Sequence, residues 1–416
     1  MAQRLLRTFV LTVLTGALLL GGGSAGTDFV HADPSASMVD LPGSRPMQAS
    51  AQPELRSAIA FTSTRDDLTT NTGEIYLMLT NQDGTPDPTQ TRRLTNDTSG
   101  EGLAALSPDG KNIAFDSDRL THLVNSSDLF LMKSDGKDQT LLTRGSSASW
   151  SPDGKKIAFH ASKTGTGQPI KGYPGAETSD SDIFVMNVGD CLENLVECRA
   201  KQKKGADPTA LPDFMKNITN NGSMTIDDDP DWSPDGRSIV YVRHTNILNP
   251  NFSPEAEIWV MRVNPDGTPV QDGDNPRQLT FNSDPQRFPI STEWVEERGP
   301  TWSPDGKHIA YACRKGAEPP PPLGGGTRFE ICLINADRSG ETQLTSTPAA
   351  DLTPTWSPDG RQIVFHNTQL VSMPMNPDGT CVKTPPPLVT CVQTRITSPP
   401  GFNALANWGV VRSVGP

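Results

Sequence analysis

The sequence predicts an all-β protein, a six-bladed β-propeller of four-stranded blades closed by its C-terminal strand. Three observations predict it. Gly and Pro together make 74 of 416 residues, half as many again as the usual combined share of about 12%; such punctuation suits many short strands joined by turns. The tetrapeptide Ser-Pro-Asp-Gly occurs five times, at 107–110, 151–154, 233–236, 303–306 and 357–360. A fixed frame surrounds each copy: Leu106, Trp150, Trp232, Trp302 or Trp356 stands just before it, and an isoleucine follows seven residues after that position.

The frame reads as a four-stranded unit. The large residue ends strand one. In the turn, Pro presets φ near about −65°, Asp favours the third position and Gly supplies positive φ at the fourth. Strand two follows as Ile113-Ala-Phe115, Ile157-Ala-Phe159, Ile239-Val-Tyr241, Ile309-Ala-Tyr311 and Ile363-Val-Phe365. Strand three begins with an acid in Asp128–Met132, Asp182–Met186, Glu257–Met261 and Glu330–Ile334. Strand four ends in an apolar residue plus Thr, from Leu142-Thr143 to Ile396-Thr397. Four strands per repeat at periods near 40–45 residues mark propeller blades, which bury their faces only by stacking.

The two ends complete the count. Ile59-Ala-Phe61, Glu74–Met78 and Arg92–Thr95 supply strands two to four of a first blade without a preceding turn motif. Ala404–Trp408 supplies its strand one, since Trp408 follows Ile396 by the spacing that separates Leu94 from Leu106. Six blades therefore close by a C-terminal strand. The gap from Trp150 to Trp232 holds no turn motif and reads as loops rather than a seventh blade.

These repeats resemble the WD-like repeats of the TolB family of propellers, which also occur in peptidase propellers. The resemblance covers residues 57–413 and implies the fold. TolB carries an α/β domain before its propeller, where this chain has the short stretch 33–56. Propeller peptidases carry a hydrolase domain, and no Gly-x-Ser-x-Gly elbow is present here.

Residues 1–32 read as a secretory signal peptide: Arg4 and Arg7, an apolar core over Phe9–Leu20, and a cleavage site at Val30-His31-Ala32. Ser24-Ala25-Gly26 is a second candidate site. Residues 33–56 read as a flexible leader and 414–416 as a tail. No later apolar run approaches the ~20 residues of a membrane helix, so an exported, periplasmic or secreted monomer is expected. The net charge of −12 disfavours nucleic acid as a partner. The cysteines suggest three local disulfides, Cys191–Cys198, Cys313–Cys332 and Cys381–Cys391, as an exported chain allows.

Loops joining strands two and three share a face with the links between blades. Irregular insertions at 163–181, 281–299 and 314–329 crowd that face, with Tyr173 and Trp294 among their aromatics. Five residues before each blade Trp (or Leu106) stand Glu101, Gly145, Asp227, Glu297, Asp351 and Asn403. The four carboxylates form either a negative funnel for a basic partner or backbone caps where strand one begins. Asp227–Asp229 admits a calcium ion or a plain acidic loop, with no other cofactor expected. His160 and His366 occupy equivalent positions and read as structural. The expected function is non-enzymatic binding of a protein or peptide partner through Glu101, Asp227, Glu297, Asp351, Trp294 and Tyr173. The alternatives are a propeller hydrolase or lyase acting on a sugar or lactone with a channel-bound divalent cation, and a cell-wall carbohydrate binder.

Overall fold

The structure, a computed structural model, describes residues 55–66, 72–120, 128–162, 181–189, 192, 215–220, 225–245, 255–281, 297–313, 329–385 and 390–412, without the side chains of Ser162, Glu255 and Glu297. Blade one holds β1 (Leu55–Ser63), β2 (Glu74–Thr80) and β3 (Pro86–Arg93). Blade two is β4 (Glu101–Leu106), β5 (Asn112–Ser117), β6 (Asp128–Lys133) and β7 (Thr140–Arg144). Blade three is β8 (Ser146–Trp150), β9 (Lys156–Ser162), β10 (Ser181–Asn187) and β11 (Met215–Asn217). Blade four is β12 (Ile226–Trp232), β13 (Ser238–Thr245), β14 (Glu255–Arg262) and β15 (Arg277–Gln278). Blade five is β16 (Glu297–Trp302), β17 (His308–Cys313), β18 (Glu330–Asn335) and β19 (Thr342–Gln343). Blade six is β20 (Leu352–Trp356), β21 (Gln362–His366), β22 (Leu370–Pro374) and β23 (Thr394–Arg395). The last strand, β24 (Asn403–Arg412), returns to pair with β1 and completes blade one.

All six sheets are antiparallel, in the order innermost to outermost strand. The Trp-to-Ile frame is a register: Leu106 faces Ile113, Trp150 faces Ile157, and Trp408 faces Ile59. Closure extends further than expected, because β24 runs past Trp408 to pair Arg412 with Leu55.

Each Ser-Pro-Asp-Gly copy closes as a tight turn, with the Gly N–H donating to the Ser carbonyl at 2.8–2.9 Å. The Asp carboxylate accepts from the Ser hydroxyl and from the amide two residues on. The Gly has φ between +66° and +71°. In four copies it also lies on the preceding blade's Pro, a Cβ on Gly306 standing 3.4 Å from the Pro234 ring, while Gly110 lies on the Val410–Val411 backbone of blade one. The motif therefore solves a turn and a blade-to-blade contact together.

The apolar-plus-Thr ending is a clamp between strands three and four. Thr280 Oγ1 donates to Glu257 at 2.6 Å and accepts from the Ile258 amide at 2.9 Å. Thr95 with Glu74, Thr345 with Glu330, Thr219 with Asp182 and Thr397 with Gln369 repeat the arrangement. Among the described residues six hydrophobic clusters make the core, each drawn from two adjacent blades. The strand-two aromatics, Phe61 through Phe365, are fully buried in it. Among the described residues no blade has a core of its own, so burial of apolar surface, the main stabilising term, depends on neighbours stacking.

Candidate functional site

The face carrying the inter-blade links meets the channel where the six innermost strands begin. Glu101, Asp227 and Asp351 lie there as expected, but buried. Arg119 donates to Glu101 at 2.8 Å and stacks over Phe115 and Phe130. Arg243 grips Asp227 through two bonds, 2.8 and 3.0 Å, and stacks over Tyr241 and Trp259. Arg65 repeats this in blade one, donating to Asn403 over Phe61 and Tyr76. Asp351 accepts from Thr347 and Asn367, both at 3.1 Å. In blade three Gly145 takes the position because a Cβ would stand 2.6 Å from the Phe159 ring. Burial pushes Glu101 up to about 7 against the pull of Arg119, and also raises Asp227 and Asp351. These three carboxylates are thus buried and engaged by side-chain donors, Arg119, Arg243, Thr347 and Asn367, rather than by the backbone N–H groups of the capping alternative, and do not form an open anionic wall. Glu297 begins β16 opposite Cys313; Tyr173, Trp294, Cys191 and Cys198 lie outside the described residues.

The channel wall itself is made by a feature with little sequence signal. Three residues before each blade Trp the innermost strand bulges, and the residue there turns left-handed: Leu103, Ser147, Asp229, Gly299, Thr353 and Leu405, with φ between +46° and +56°. The register breaks at that point in every blade. All six are half-buried, as residues lining a channel must be. Only Gly and Asp among them favour such a conformation, so the bulge is dictated by the ring and not by local preference. The ring is unequal. Leu405 and Leu103 of blades one and two form an apolar arc, and Ser147 and Asp229 of blades three and four a polar one.

Behind the polar arc, charges accumulate. Asp229 accepts from Ser147 Oγ of blade three at 2.9 Å and from the Gly299 amide of blade five at 3.2 Å. Asp228 pairs with His244 at 3.1 Å. Asp116 of blade two accepts from Ser146 and the Ser147 amide. Burial lifts Asp116 to about 8 and, with the neighbouring Asp228 charge, raises Asp229. For Asp228 burial is outweighed by His244, which holds the carboxyl below its ordinary range. The three carboxylates of Asp227–Asp229 thus turn to three different partners. His366 accepts or donates to Thr353 Oγ1 at 2.8 Å, and burial lowers it to about 4, so it is a neutral, structural residue near pH 7.

A second missed feature links the blades. The residue just before the blade Trp accepts from the next blade's Trp or Leu amide: Ser149 from Trp232, Asp231 from Trp302, Thr355 from Trp408 and Asn407 from Leu106. The sequence signal was present, since Ser149, Asp231, Thr301, Thr355 and Asn407 are all polar between apolar neighbours. At the one seam with Ala105 there, the Trp150 indole donates to its carbonyl instead, at 3.0 Å. Two of the expected disulfides are formed, Cys313–Cys332 and Cys381–Cys391.

These features define a six-bladed β-propeller whose repeated positions are structural and whose channel ring is individual. Its repeats are TolB-like. Over 127 residues the chain is 31% identical to the Tol-Pal system protein TolB of Anaeromyxobacter dehalogenans, a stretch covering 30% of this chain and 21% of that protein. The chain thus spans about a fifth of the curated relative it matches. TolB from Acinetobacter baumannii superposes with a TM-score of 0.51 at 17% identity, over 85% of this chain and 66% of that one. Hydrazine synthase of Kuenenia stuttgartiensis superposes with a TM-score of 0.53 at 15% identity, over 87% and 47%. Both structural likenesses show the fold alone, and their different names show how little it fixes function. No family model matches the chain.

Proposed function

We propose that this chain is an exported, non-enzymatic propeller that binds a protein or peptide partner at the channel mouth on the link-bearing face. The observation that carries the reading is the ring of six left-handed bulge residues. One backbone geometry there presents five side chains that differ in character, with a gap at Gly299: apolar over Leu405 and Leu103, acidic and hydroxylic over Ser147 and Asp229. A segment offering an apolar residue beside a basic one complements both arcs. The sequence likeness to a TolB supports protein binding, and the two disulfides support an oxidising compartment. The partner role assigned to Glu101, Asp227 and Asp351 becomes indirect: they brace the strand starts from which the ring projects.

A photo-crosslinking side chain at Leu405 or Thr353 tests this, with one at exposed Ser339 on the opposite side as control. Crosslinks to a protein from the ring and not from Ser339 are expected. Crosslinks confined to Ser339, or chelator-sensitive turnover of lactones or glycosides, would replace this reading, the latter by the enzyme alternative.

A further inference from the structure

Two carboxylates of the polar arc hold the same serine. Asp116 of blade two accepts from the Ser147 amide at 3.4 Å and from the Ser146 hydroxyl. Asp229 of blade four accepts from Ser147 Oγ at 2.9 Å and from the Gly299 amide at 3.2 Å. Ser147, Asp229 and Gly299 are themselves left-handed bulge residues, so this belt of bonds crosses four blades along the channel wall. It leaves one oxygen over: Asp116 Oδ1 is buried and makes no hydrogen bond. Among the described residues, the other charged or titratable groups facing the pair are His160 of β9, Asp228 of β12, His244 of β13 and Arg298 of β16.

We infer, on the partner reading above, that Asp116 and Asp229 are a proton-sharing pair through which pH sets the charge of the polar arc, and with it the arc's hold on a partner's basic residue. A carboxylate oxygen buried without a donor is costly when charged. Two carboxylates on one serine raise that cost for each other. The bare Asp116 Oδ1 can take the proton without breaking any bond of the belt. Burial, with the Asp229 charge adding to it, lifts Asp116 to about 8. Burial and the Asp228 charge raise Asp229. Groups raised in this way are neutral on the acid side and charged on the alkaline side, so the arc gains negative charge as pH rises. His244, whose burial is outweighed by Asp228, is also raised, and its loss of positive charge runs the same way. Asp228, held below its ordinary range, and Arg298 keep their charges throughout. A basic segment is therefore held weakly in mild acid and tightly in mild alkali.

The test uses the full chain in two measurements. NMR of isotope-labelled aspartate carboxyls should show the pair titrating in coupled steps, that of Asp116 near about pH 8. Asp229→Asn, which keeps a residue tolerant of the left-handed conformation, should move the Asp116 step to lower pH. Calorimetry then uses the acetylated, amidated peptide Ala-Leu-Arg-Ala, with citrulline in place of arginine as the uncharged control. The arginine peptide should bind at least about five-fold tighter at about pH 9 than at about pH 6, and the citrulline peptide equally at both. Asp116→Asn should remove most of that dependence and leave affinity near its acid value. Should that variant fail to fold, the titration of the unaltered chain still decides. Independent titration of both carboxyls near about pH 4, or arginine-peptide affinity equal in acid and alkali, overturns the inference and leaves the partner reading standing. Coupled titration with no peptide binding at any pH overturns the arc's hold on a basic residue, and the fault then lies with the partner reading.

Discussion

The two ends of the channel are built by opposite rules. At the turn end one solution is repeated: the same tetrapeptide in five blades, the same frame from Trp (or Leu106) to Ile, and in four of the five a Gly on the preceding blade's Pro. At the link end one backbone geometry is repeated but the residues on it are not, running Leu103, Ser147, Asp229, Gly299, Thr353, Leu405. Identity repeated around the ring therefore marks a problem every blade shares, and variation on a shared geometry marks positions the fold leaves free. The acidic position five before each Trp belongs to the first kind. Its charge varies, but in blades one, two and four an arginine sandwiched on two aromatics answers it.

The largest effect should come from the closing strand. Deleting residues 400–416 removes all of β24 and the Trp408 share of the core between blades six and one. Loss of a buried Trp alone costs about 3–5 kcal/mol, so calorimetry should show the cooperative transition lost or lowered by many degrees. A melt within a degree or two of the intact chain would mean the ring is held elsewhere.

Arg243→Ala comes next. It leaves Asp227, fully buried, without its bidentate partner, and stranding a buried charge costs about 3–5 kcal/mol. If denaturant unfolding shows no loss, Asp227 is not a fold element and the open-funnel alternative revives. Thr280→Val should cost less, about 1–3 kcal/mol, by stripping partners from the Glu257 carboxylate and the Ile258 amide at once. Its effect measures what each strand-three clamp contributes.

Stability should also depend on pH. Asp116 and Asp231, at about 8 and about 6, lie above the ordinary aspartate value of about 3.9. Between that value and theirs the folded chain holds protons the unfolded chain has released. Their contribution is thus full below about pH 4 and is lost as pH rises from there to about 6 for Asp231 and about 8 for Asp116. His244, raised by Asp228 despite burial, acts in the same direction. Unfolding midpoints between pH 5 and 9 check this, and Asp116→Asn should flatten the upper part of the slope. The smallest effect belongs to the ring: Leu405→Gln should shift stability by only about 0.5 kcal/mol, as for a surface site, while reducing crosslinked partner several-fold. A large loss of stability instead would place Leu405 with the repeated, structural positions.

Repetition made the architecture legible. Five turn motifs and a constant Trp-to-Ile spacing determined blade number, strand order, register and closure, because turn chemistry and alternation are local and recur. The pairing of Cys313 with Cys332 was legible from their places on adjacent strands of one blade, although the register sets them diagonally, Cys313 opposite Glu330 and Cys332 opposite Tyr311. The site was legible only in part. The sequence places Glu101, Asp227 and Asp351 at the channel end, yet whether a carboxylate faces water or an arginine depends on residues 16 to 18 positions away brought alongside by strand pairing. The left-handed bulge at Leu103 or Leu405 has no local signal at all, since leucine disfavours that conformation. What the sequence determined by itself was each blade, through contacts within a few tens of residues. What only the tertiary structure decided was the channel, where six strands from the whole chain meet and the closing ring holds each backbone in a shape its own residues would not choose.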